Sequence, residues 1–121
     1  MSSAHTEPPN GQAVHVTTET QGAAVVLVVS GDIDMVTAPE FEKALLAALR
    51  DRPEVLVVDL SAVEFLGSAG LTALVTARQE AGSDTTLRVV AESSTTARPL
   101  QLTGLDQEIP LYRTREEALT S

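Results

Sequence analysis

Three short runs of β-branched and aliphatic residues, "AAVVLVVS", "VLVVDL" and "TLRVV", alternate with stretches of helical periodicity, and few folds accept that order. Strands separated by helix-length connections pair in parallel through crossovers, which places the helices on the faces of a sheet. An earlier segment, "AVHVTTET", alternates apolar and polar residues and reads as a half-exposed strand, joined to the first apolar run by a turn at Gln21-Gly22. After "GDIDM", Phe41, Ala44, Leu45, Ala48 and Leu49 share one helical face, with Pro39 in the first turn. Thr37 and Glu40 have the spacing of a capping box. A second helix is expected over "SAGLTALVTARQEAG", with Leu71, Leu74 and Val75 inward, Thr72, Thr76, Gln79 and Glu80 outward, and Gly82 as its stop. "STTARPLQLTG" reads as a short helix made irregular by Pro99, "EIPLY" as an edge strand and "TREEALTS" as a capped helical turn. The expected fold class is therefore α/β, a small mixed sheet of mostly parallel strands with about four helices packed against it. Residues 1–11 read as a disordered tail and 12–121 as a single domain.

Function in such sheets gathers at the carboxyl ends of the strands. Three connections leave there, containing "GDID", "DLSAVEFLGSAG" and "AESST". What they hold excludes several chemistries. A formal net charge of −9 and only three aromatic residues, Phe41, Phe65 and Tyr112, argue against nucleic acid and against anionic membranes. With no cysteine there is no thiol chemistry, and two isolated histidines, His5 and His15, make no metal site and give no base for a serine nucleophile. No Gly-Lys pair marks a P-loop. Asp59 at the end of "VLVVD" resembles the phosphoacceptor of a receiver domain. That chemistry also needs an acidic pair and a late lysine, and the only lysine is Lys43. Asp59 is otherwise a loop-capping carboxylate. No apolar run is long enough to span a bilayer and no secretion signal is apparent, so a cytoplasmic protein without cofactor or catalytic residues is expected.

What remains is Ser68, enclosed by Gly67, Ala69 and Gly70 where a strand meets a helix. Serine is a good N-cap, and that alone accounts for the hydroxyl. The small neighbours add something different: an open hydroxyl beside the free N–H groups of a first helical turn, which suits a phosphate. The residues by themselves leave both readings open.

Taken together, "SGDIDMVTAPEFEKALLAAL" and "VVDLSAVEFLGSAGLTALV" resemble the STAS domain of bacterial anti-sigma factor antagonists, over about Val14 to Leu119. The resemblance implies the STAS fold and a regulatory rather than enzymatic protein. It implies that Ser68 is phosphorylated by a partner that is both anti-sigma factor and serine kinase, and that a phosphatase resets it. Asp34, Thr37 and Asp59 match family positions near that serine, while Gly67 stands where the family often has Asp. The partner face expected from the resemblance comprises Asp34, Met35, Gly67, Ser68, Ala69, Gly70 and Thr72. The free chain is expected to be a monomer that binds the anti-sigma factor, releases a sigma factor and loses that ability when Ser68 is phosphorylated. Two alternatives stand beside it: a STAS module acting only as a scaffold or transporter-associated subunit, and a nucleotide-binding domain.

Overall fold

The computed structural model describes residues 13–121; the expected tail, with His5, lies outside them. The elements follow the expected order: β1 (His15–Gln21), β2 (Ala24–Ile33), α1 (Ala38–Leu49), β3 (Val55–Leu66), α2 (Ser68–Ala81), β4 (Thr86–Val90), α3 (Ser94–Leu102), a 3₁₀ turn at Leu105–Gln107, β5 (Leu111–Tyr112) and α4 (Arg115–Thr120). The sheet order is β1-β2-β3-β4-β5, antiparallel only between β1 and β2. Every crossover advances by one strand in the same direction. Crossovers share one hand, so α1, α2 and α3 land on the same face. That face holds the main core, with Leu27, Val29, Leu56, Val58, Leu60 and Val89 from the sheet packed under Phe41, Leu45, Leu74 and Leu100. Among the described residues, the helix on the other face is α4, which covers Val26, Val57 and Val90 with Ala118.

Three details depart from the sequence reading. The stretch "DLSAVEFL", expected to be a connection, continues β3: Ala62, Val63, Phe65 and Leu66 pair with Ser30, Gly31, Asp32 and Ile33 of β2, across two register shifts. The two longest strands thus project beyond β4 as a two-stranded arm, and only Gly67 separates β3 from α2. Second, Val75 is 37% exposed, and the inward face of α2 is made by Gly70, Ala73, Leu74, Ala77 and Ala81. Small side chains there let the helix lie close to the sheet and to α1. Third, the Thr37–Glu40 capping box does not form: Thr37 is in the helical region of backbone space, with no side-chain cap bond.

Asp59 is a mid-strand residue, and its surroundings explain how α4 is fastened. Its carboxylate is buried and accepts from the backbone N–H and hydroxyl of Ser61. Arg115, at the start of α4, reaches it with Nε at 3.0 Å and Nη2 at 2.9 Å, and reaches Glu19 with Nη1 at 3.1 Å. At the other end of α4 the Ala118 carbonyl accepts from Arg88 Nη1 at 2.8 Å. Thr114 caps the helix by accepting from the Glu117 N–H. A helix of six residues has no stability of its own, so these ties hold it. Arg115→Ala should speed amide exchange at Ala118 at least tenfold while leaving Val57 protected, because it removes charged hydrogen bonds each worth about 1.5–3 kcal/mol. Exchange monitored by NMR checks it; equal rates at Ala118 would refute the tether.

Candidate functional site

The site is built where the β2–β3 arm ends. The Gly67 N–H donates to the Ile33 carbonyl at 2.9 Å, stitching the end of β3 to the end of β2. Gly67 is extended and serves as the N-cap position of α2, so Ser68 is the first helical residue rather than the cap. The hydroxyl therefore does no capping work. It is exposed and has no hydrogen-bond partner among the described residues, while the Ser68 carbonyl accepts from Thr72 Oγ1 at 3.1 Å. The N–H groups of Gly70 and Leu71 turn back onto the Gly67 carbonyl. Those of Ser68 and Ala69 have no such partner and point out of the helix end, which carries the positive pole of the backbone dipoles.

The small residues around Ser68 have separate reasons. A Cβ at Gly70 would stand 2.6 Å from Ile33 Cγ2 and 2.7 Å from Leu66 Cδ1, both buried, so Gly70 seats the helix on the end of the arm. Gly70 is itself buried and is not available to a partner, which corrects its expected place on the binding face. A Cβ at Gly67 would instead press on the Phe65 ring edge, at 3.0 and 3.3 Å, with the Ile33 carbonyl oxygen in ordinary contact at 3.5 Å, and that ring is 49% exposed.

Beside this lies the turn that leaves β2. Asp34 Oδ1 accepts from the N–H groups of Val36 and Thr37, each at 2.9 Å, and the Asp34 carbonyl accepts from the Ala38 N–H at 2.8 Å. The buried Thr37 hydroxyl donates to the Asp32 carbonyl at 2.7 Å and accepts from the Asp34 N–H at 2.9 Å. These bonds hold the Asp34 carboxyl below the ordinary carboxylate range, the Thr37 N–H being the largest cause. Between the two bonded residues Met35 is 82% exposed and Val36 77% exposed.

Met35, Ala69 and Thr72 line one shallow groove of about 630 Å³ between α1 and α2, with Ala38, Pro39 and Leu46 as its apolar floor. Ser68, Thr72, Val75 and Gln79 form a single exposed stripe along α2. So the structure brings together Asp34, Met35, Gly67, Ser68, Ala69 and Thr72, with Thr37 behind the turn. Asp59 lies about seven strand residues back, roughly 20 Å at 3.3 Å per residue, on the face that α4 covers. Its carboxylate is occupied by Arg115 and Ser61, and it does not adjoin Ser68.

The family model of the STAS domain matches residues 15–118. The chain belongs to the STAS domain family. Two similar proteins sharpen the placement. The anti-sigma-F factor antagonist RsfB of Mycobacterium tuberculosis is 42% identical over 108 residues, 89% of this chain and 88% of the relative. A solved anti-sigma factor antagonist from Mycobacterium paratuberculosis is 48% identical, with a TM-score of 0.86 over 89% of this chain and 92% of that one. The antagonist SpoIIAA in its unphosphorylated form shares the fold at 17% identity, with a TM-score of 0.71 over 87% and 93% of the two chains.

STAS membership agrees with the α/β order and with the regulatory class read from the sequence. The sequence reading included the "FLGSAG" loop, with Phe65, in the partner face but did not place Val36 or Val75 there. An apolar residue inside a turn, as at Met35-Val36, was the available signal for the first. Among the described residues no group of three or more His, Asp or Glu could hold a metal, and no helix is long and apolar enough to cross a membrane.

Proposed function

We propose that this STAS domain, in its unphosphorylated form, binds an anti-sigma factor that is also a serine kinase, and thereby releases a sigma factor in the cytoplasm. The kinase then attaches a phosphoryl group to Ser68 and the complex dissociates. The observation that carries this reading is the Ser68 hydroxyl: exposed, unbonded, and set at the head of a 14-residue helix between a half-buried Gly67 and a groove lined by Ala69 and Thr72. A structural serine at such a junction would cap the helix, and Ser68 does not.

In the transfer, Ser68 Oγ attacks the γ-phosphorus of ATP, the bond to the β-phosphate oxygen breaks and ADP leaves. The hydroxyl proton passes to a base on the kinase. Magnesium and the base belong to that partner, so this chain is substrate and ligand rather than enzyme. The phosphate brings about −1.5 to −2 charges, and the unpartnered N–H groups of Ser68 and Ala69 tolerate it in the free protein. In the complex it would sit among Met35, Phe65 and Val75 and would lose its water. A phosphatase reverses the step by hydrolysis to inorganic phosphate. The relative SpoIIAA has been solved in phosphorylated and unphosphorylated forms, both with this fold, which supports a switch that needs no refolding.

The test is to incubate the purified chain with its cognate anti-sigma factor and magnesium-ATP, then map the product by mass spectrometry. One phosphoryl group on Ser68, with none added to Ser68→Ala, is expected. Stable binding of the partner with no modification would leave a constitutive scaffold and refute the switch.

A further inference from the structure

Asp34 has a carboxylate beside the partner face, and its charge is the obvious reason to put it there. The hydrogen bonds say otherwise. One oxygen, Oδ1, accepts from the Val36 N–H and the Thr37 N–H, and the Thr37 hydroxyl oxygen stands 3.2 Å from it. Thr37 answers from below, its Oγ1 taking the Asp34 N–H and giving its proton to the Asp32 carbonyl. The two side chains close one turn from both ends. Everything between them is Met35 and Val36, the two most exposed large apolar side chains among the described residues. Exposed large apolar residues scattered singly are ordinary; these two are adjacent, on a turn whose Asp34, Val36, Thr37 and Ala38 N–H groups are all bonded.

Resting on the function proposed above, we infer that Asp34 and Thr37 are positioning residues that act as an uncharged clasp would, presenting Met35 and Val36 as a preformed apolar anchor for a hydrophobic pocket on the anti-sigma factor. Continuity supports the assignment: Met35 lines the same groove as Ala69 and Thr72, and the Gly67–Ile33 bond joins this turn to the start of α2. A rigid anchor keeps the affinity that a floppy one loses in ordering. An Asn at position 34 offers the same Oδ1 to the same two N–H groups. The charge strengthens these bonds, but the turn needs only the acceptor to close.

Calorimetric titration of the full chain against its cognate anti-sigma factor tests this. Asp34→Asn should bind within about threefold of the parent, and Asp34→Ala at least about tenfold more weakly. Thr37→Val should weaken binding similarly and Thr37→Ser should restore it. The double substitution Met35→Ala/Val36→Ala should cost about a hundredfold, since two anchors are lost. In parallel, amide exchange at Val36 and Thr37 should be fast in Asp34→Ala and slow in Asp34→Asn, with Val26 and Val57 protected in both. If Asp34→Asn is as weak as Asp34→Ala, the charge itself matters and the clasp is wrong. If the double variant binds like the parent, the anchor is wrong. If the parent chain fails to bind the anti-sigma factor, the function proposed above falls, and with it this inference; the other two outcomes sink only the inference.

Discussion

Ser68→Asp should bind the anti-sigma factor about a thousandfold more weakly than Ser68→Ala, which should bind like the unmodified protein. The difference comes from the interface and not from folding. A carboxylate at the first position of α2 is favourable in the free chain, because it faces the positive end of a 14-residue helix and the open N–H groups of Ser68 and Ala69. That placement is worth about 0.3–1 kcal/mol, so the melting temperature of Ser68→Asp should equal or slightly exceed that of the parent. On binding, the same carboxylate is pressed between Phe65 on the Gly67 side and the groove of Met35 and Thr72 on the other. Stripping water from an unpaired charge costs several kcal/mol, and about 4 kcal/mol is a thousandfold in affinity. Calorimetry and thermal melts on the two variants read both halves. Equal affinities would show that Ser68 is not at the contact; a large fall in melting temperature would show that the Asp acts through the fold.

The order of strands and helices was legible because each element carries its own period. The β-branched runs of β2, β3 and β4 and the Phe41/Leu45/Leu49 stripe need no distant partner to be recognised. Ser68 was legible for a related reason: a hydroxyl among Gly and Ala at a strand–helix junction is a local pattern. What failed was whatever depends on a partner far along the chain. Ala62 to Leu66 looks like a connection until Ser30 to Ile33 supplies the opposing strand. Asp59 looks like a strand-end carboxylate until Arg115, 56 residues away, takes it. Thr37 and Glu40 have the right spacing for a capping box, but the Thr37 N–H that Glu40 would bond is already taken by Asp34, three residues upstream of that pattern. Val75 was placed inward because it is apolar, whereas the stripe of Gly70, Ala73, Ala77 and Ala81 at spacings of three and four was the better guide to the buried face.

Gly31→Ala should destabilise the protein by about 4 kcal/mol and lower its melting temperature by about 15 °C, with partner binding lost in step. Two costs combine. Gly31 has φ +96°, a conformation L-residues rarely adopt, and holding a side-chain-bearing residue there costs about 1–3 kcal/mol. A Cβ at that position would also stand 2.2 Å from the Ala13 carbonyl oxygen, 3.1 Å from its carbon and 3.3 Å from Val14 Cα. All three are backbone atoms, and Val14 is buried, so relief requires the main chain itself to move. Gly31 also pairs with Val63 between the two register shifts of the arm, two residues before the Ile33 carbonyl that secures Gly67. Displacing it moves the platform on which both the Asp34 turn and Ser68 stand. Gly22→Ala separates the two costs: its φ is +62° but no atom lies within 4 Å of the added Cβ, so only the conformational part remains, about 1 kcal/mol. Denaturant unfolding of both variants decides the point. If Gly31→Ala loses no more stability than Gly22→Ala, the crossing of Ala13 over Gly31 is not the constraint on this strand, and the arm must be held in place by its pairing alone.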